Sequence, residues 1–173
     1  MATRTFNTIM NKPKQPLTPA QALNRASALC AASEQAPSDI REKLMRWGLT
    51  APQAADVLSQ LISQGFIDER RYAKAFVNDR FIFNGWGRVK IAYQLKQKRI
   101  DEDVIAQAID SIDEQQYRER LVELLRAKWR TVNGREPRAA WAAMMRFAAS
   151  RGFETGIAGE CVKQVTRLDD QDD

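Results

Sequence analysis

The chain has 173 residues, 44% of them hydrophobic and 28% charged, with 27 Lys+Arg against 22 Asp+Glu and no histidine. That supplies a core for one ordinary domain or for several small stacked units, while the missing histidine removes the commonest general acid/base, the usual Ser-His and Cys-His pairs and the standard zinc ligand sets. No apolar run approaches the roughly 20 residues that span a bilayer, and the first residues lack the apolar core of a secretory signal, so a cytoplasmic protein with no membrane association is expected.

Residues 1–17 are basic, contain Pro13 and Pro16, and are expected to form a flexible tail. A first unit, 18–67, follows: Thr18-Pro19 marks a helix near 18–34, Pro37 before Ser38-Asp39 a second near 38–48, and Thr50 with Pro52 a third near 51–64. In the second unit, 68–112, Asp68-Glu69 places negative charge at the start of a helix near 69–83, with further helices near 87–98 and 102–112. Asp113-Glu114 repeats that signal at the head of the third unit, 113–166, with helices near 114–131, 137–151 and 156–166. Gly156 and Gly159 weaken the last of these by about 1 kcal/mol each. Residues 167–173 form an acidic tail, whose four aspartates after Leu168 hold the net charge at +5 instead of +9 and are placed to compete for basic surfaces elsewhere.

The units are copies of one another. Moving the segment Ile40 to Leu61 forward by 51 positions lays Ile40 on Ile91, Leu44 on Leu95, Leu49 on Ile100, Ala54 on Ile105, Val57 on Ala108, Leu58 on Ile109 and Leu61 on Ile112. A further 53 brings Ile91 onto Met144, Ile100 onto Phe153, Ile105 onto Ala158, Ala108 onto Cys161, Ile109 onto Val162 and Ile112 onto Val165. Apolar residues recur at helical spacing and nowhere at period two, which predicts an all-α protein of three tandem three-helix repeats. No unit of this size buries its apolar face alone, so stacking is expected to give an elongated, curved right-handed array.

Chemistry-bearing motifs are sparse. Gly85-Trp86-Gly87 is not a phosphate-binding loop. Cys30 and Cys161, far apart and in Ala-rich stretches, are expected in the core, as are most of Tyr72, Phe76, Phe81, Phe83 and Tyr93, and Trp47, Trp129 and Trp141 are expected to pack. No catalytic, metal or cofactor site is predicted, and no enzyme. Charge is more informative. Five cations, Arg88, Lys90, Lys96, Lys98 and Arg99, lie between Trp86 and Ile100 without an acid. A second band around Trp129 holds Arg126, Lys128 and Arg130 within a stretch, 118–138, of seven cations and three acids. Together with Trp86, which stands between two glycines, these are the candidate contacts for an acidic or nucleic-acid partner. The alternative for both bands is a solvated helix surface.

One stretch is family-specific: Gly65-Phe66-Ile67-Asp68-Glu69-Arg70-Arg71-Tyr72-Ala73-Lys74-Ala75-Phe76-Val77-Asn78-Asp79-Arg80, then Gly87-Arg88-Val89-Lys90-Ile91 and Gln94-Leu95-Lys96-Gln97-Lys98-Arg99-Ile100. It resembles the RecX family of regulators of the RecA recombinase, over about residues 40–112 and more weakly beyond. Gln94 departs from the family's usual Glu and Arg99 from its usual Gly. The resemblance implies three tandem three-helix repeats, no catalysis, and binding along the groove of the RecA–DNA filament that restrains filament growth, ATP hydrolysis and strand exchange. A monomer with weaker, electrostatic contact to single- or double-stranded DNA is expected. The second reading is a helical nucleic-acid-binding module that acts on DNA directly.

Overall fold

The computed structural model describes residues 15–169. Among them nine α-helices run in chain order, with no strand: α1 (Pro19–Ala32), α2 (Pro37–Arg46), α3 (Ala51–Ser63), α4 (Glu69–Ile82), α5 (Arg88–Gln97), α6 (Glu102–Asp110), α7 (Glu114–Trp129), α8 (Pro137–Arg151) and α9 (Thr155–Asp169). Residues 1–14 and 170–173, most of the two expected tails, lie outside the described residues. Within each unit the third helix packs on the first two.

Six of the helices begin where a side chain satisfies one of their first N–H groups, whereas α2 and α5 have no such cap. Thr18 and Thr50 form capping boxes with Gln21 and Gln53, while Asp68 and Asp113 accept from the backbone N–H of Arg71 and Gln116. Both tail boundaries shift. Leu17 is half-buried on the first unit's core and donates its N–H to the Trp47 carbonyl at 2.9 Å, so the expected tail is anchored before Thr18. At the other end α9 continues to Asp169 despite Gly156 and Gly159. Burial of Ala158, Cys161, Val162 and Val165 stabilises it beyond what propensity predicts.

Burial follows the repeat. Ile40, Leu44, Leu49, Ala54, Val57 and Leu61 are core residues in unit one, Ile91, Leu95, Ile100, Ile105, Ala108 and Ile112 in unit two, and Met144, Phe153, Ala158, Cys161, Val162 and Val165 in unit three; Ala148 takes the place of Leu95. Leu58 and Ile109, also equivalent, are both half-buried. The backbone repeats too. Gly48, Arg99 and Gly152, equivalent by the same shifts, follow the second helix of each unit with φ of 96°, 57° and 87°. Glycine enters this left-handed region freely and ends a helix there, whereas Arg99 is the single non-glycine residue with positive φ among the described residues.

Four packing expectations are corrected. Phe83 is 78% exposed, Tyr93 58% and Trp141 46%, and Cys30 is only half-buried. Phe83, Tyr93 and Trp141 face away from the neighbouring helices, while Cys30 packs at the edge of the first unit's core.

The units join by a common device, in which the C-terminal end of one second helix meets the N-terminal end of the preceding second helix. Between units two and three, the N–H groups of Gly87 and Val89 donate to the carbonyls of Arg151 and Gly152 at 2.8 and 3.0 Å. The backbones touch: a Cβ on Gly87 would overlap the Gly152 carbonyl, and one on Gly152 would overlap Lys90. Between units one and two, the equivalent carbonyl of Lys98 accepts instead from the Ser38 hydroxyl at 2.7 Å. The second and third units share one apolar core, into which Ala36 inserts, while the rest of the first unit's buried apolar residues form a separate core.

Candidate recognition surface

The cations predicted from sequence fall into three environments. The first is the junction between units two and three. Arg88 pairs with Glu114 at 2.8 Å and Glu154 at 3.8 Å, and its guanidinium lies 4.0 Å from the centre of the Tyr117 ring. Lys90 donates to the Ser150 carbonyl at 3.2 Å, near the C-terminal end of α8, where a cation opposes the helix dipole. Trp86 is half-buried between Arg80 and Lys90, 5.3 and 4.7 Å from its ring, and donates its backbone N–H to the Arg80 carbonyl. These residues bind one part of the chain to another.

Tyr117 completes that arrangement. Fully buried, it stacks on Phe81 at 5.8 Å and packs at a tilt against Phe153 at 5.0 Å, donates its hydroxyl proton to Glu154 at 2.6 Å and accepts from the Arg88 N–H at 2.9 Å. Burial, then the bond to Glu154, pushes its pKa well above the usual tyrosine range. Hydrogen bonds from Arg88 and then Arg118 hold the Glu114 carboxyl below its ordinary value. Sequence inspection missed this network because Tyr117 reads as one more apolar helical residue and Glu154 lies 37 positions away.

The second environment is the junction between units one and two. Lys98 donates to both oxygens of Asp39 at 2.8 Å, and this bond raises its pKa above the lysine norm. Arg71 pairs with Glu34 at 2.8 Å. A cleft of about 370 Å³, lined among others by Gln35, Tyr72 and Arg80, separates the units here.

The third environment is open surface. Lys96 pairs with the exposed Glu102 at 2.9 Å, a contact that solvent screens. Arg99 is exposed and makes no ion pair among the described residues. It closes one end of a cleft of about 460 Å³ over α2, lined by Ser38, Arg41, Glu42, Met45 and Arg46. The basic band of unit three divides by helical geometry. Arg126 and Arg130 are exposed in a groove of about 1090 Å³ along α7, which also carries Glu114, Glu119 and Glu123. Lys128 turns instead toward α8, 5.9 Å from the Phe147 ring. Among the described residues no group of His, Cys, Asp and Glu has the arrangement of a metal site, and no helix is long and apolar enough to cross a membrane.

Comparison with known proteins adds the lineage. Residues 68–109 match the family model described as the second three-helix domain of RecX. A regulatory protein RecX from Amycolatopsis mediterranei (strain U-32) is 23% identical over 159 residues, covering 90% of this chain and 91% of its own. Over its second unit and, more distantly, over most of its length, the chain is similar to RecX proteins. Regulatory protein RecX from Mycobacterium sp. (strain KMS) is 28% identical over 78% of this chain and 75% of its own. The crystal structure of RecX from Lactobacillus salivarius superposes with a TM-score of 0.78 at 16% identity, covering 86% of this chain and 96% of that one. The all-helical tandem architecture is therefore the fold of that crystal structure, and Arg99 lies within the matched domain.

Proposed function

We propose that the chain is a noncatalytic regulator that binds in the groove of a RecA–DNA filament and restrains its growth, ATP hydrolysis and strand exchange. The observation that carries this reading is the double use of one docking device: second helix meets second helix at both junctions, so the molecule advances by a repeated step. A stepped array suits a polymer whose own binding sites recur, and weak contacts from three units then add through effective concentration. Similarity to relatives described as regulatory protein RecX supports the regulatory role. Exposed Arg99, Arg126 and Arg130 support an anionic partner, whereas Arg88, Lys90 and Lys98 act first as clamps between units.

The test follows ATP hydrolysis by RecA on single-stranded DNA as the protein is added. Inhibition is expected to saturate well below one copy per RecA, and the Arg126→Glu, Arg130→Glu double variant is expected to shift the titration to higher concentration with its helical content unchanged. Inhibition that appears only when the protein suffices to coat the DNA replaces this reading with the direct nucleic-acid module.

A further inference from the structure

The cleft over α2 joins two observations that the junction contacts do not explain. Ser38, Arg41, Glu42, Met45 and Arg46 stand at i, i+3, i+4, i+7 and i+8, one continuous strip of α2, and Arg99 comes from the next unit to close its end. The strip therefore holds three guanidinium groups against one carboxylate. Arg41 and Arg46 are exposed, and the polar contact made by the Arg46 side chain is a long one, 3.4 Å, to the Glu42 backbone carbonyl. Like charges gathered without partners repel one another, which an anion relieves.

The second observation is conformational. Position 99 requires the left-handed backbone, and both sibling repeats place glycine there. An arginine at φ 57° pays a steric penalty that glycine avoids, and among the described residues its side chain makes no hydrogen bond, ion pair or ring contact that would offset it. Strain held at a position with no packing role points to a role in recognition. Neighbouring Lys98, on an unstrained backbone, is engaged with Asp39, so the added guanidinium is not needed to hold the units together.

We propose that Arg99, with Arg41 and Arg46, forms a binding site for the phosphodiester backbone of nucleic acid across the boundary of units one and two. Guanidinium forks match phosphate oxygens in a bidentate manner. The exposed Met45 side chain between them, 45% accessible, gives the sugar–base side of a strand an apolar surface to lie on. Contacts of this kind to phosphates position a strand without reading its sequence.

The inference does not depend on the filament reading, since DNA alone is the probe. Binding of a fluorescein-labelled oligo(dT), and of a duplex of equal length, is measured by anisotropy across a salt series with thermal melting in parallel. R99G is expected to melt no lower than the parent chain while the slope of log K against log salt shrinks by about 0.7 on the single strand or 0.9 on the duplex. The R41Q/R46Q/R99G variant is expected to lose about three times as much slope. Unchanged slopes in both variants, or a parent chain that fails to bind either probe, overturn the site. If the slopes stay unchanged while R99G loses inhibition of RecA, the cleft serves an acidic protein surface and the nucleic-acid assignment is wrong. If the slopes fall but RecA hydrolysis is unaffected by the parent chain, the site stands and the filament reading does not.

Discussion

The two junctions use the same device with different material. At the boundary of units two and three, Gly87 and Gly152 let the backbones touch, Arg88 offers an N–H to the Tyr117 hydroxyl, and one apolar core runs through both units. One unit earlier, Pro37 stands at the position equivalent to Arg88 and has no N–H to donate. Tyr72, which follows its Asp68 cap by the interval that separates Tyr117 from Asp113, accordingly lines an open polar cleft. Ser38 and Lys98 then supply by side chain what the other junction makes with backbone. A single imino acid at one helix start thus separates a close-packed joint from one that leaves an open cleft between the units.

The comparison is broken most severely at Gly152. Gly152→Ala meets a positive φ of 87° and the Lys90 backbone together, so a loss of about 3 kcal/mol or more is expected in urea unfolding, with the second and third units no longer melting together. A variant that unfolds in one transition at parental stability contradicts the tight joint.

Next is Tyr117→Phe, which leaves the Arg88 N–H and the Glu154 carboxylate without their partner at a cost of about 1–3 kcal/mol. The pH dependence has a definite sign. A group whose pKa rises on folding contributes stability that is complete below its unfolded pKa and lost as pH climbs through the folded one. Tyr117 is raised, so its contribution declines from the ordinary tyrosine range near pH 10 upward. Thermal melting between pH 8 and 11 should show the parent chain falling more steeply than Tyr117→Phe; parallel curves remove Tyr117 from the joint.

The smallest stability effect belongs to the more open joint between units one and two. Lys98→Ala breaks a pair in which both side chains are about one-third exposed, worth about 0.2–1 kcal/mol. Its larger consequence is geometric: small-angle scattering, or distances between spin labels on α2 and α6, should broaden without loss of helicity. Unaltered distance distributions mean that the separate cores alone fix the angle between units.

Core positions, helix starts and the threefold recurrence were legible in the chain because each rests on local periodicity or on a cap a few residues away. Ile40, Ile91 and Met144 could be aligned from letters alone. The partners of Arg88, Lys90 and Lys98 could not, since Glu154, Ser150 and Asp39 lie about 60 positions distant and become neighbours only when helix ends dock. A run of cations without acids looks like a recognition stripe until tertiary packing brings the acids in from other helices. Arg99 shows the converse: its departure from glycine was visible in the sequence, but its backbone conformation and its company with Arg41 and Arg46 existed only once the first unit had been placed against the second. Sequence thus determined the unit and its number, because hydrophobic spacing acts along one helix. Which charges remain for a partner was decided by packing, because charge is neutralised through space.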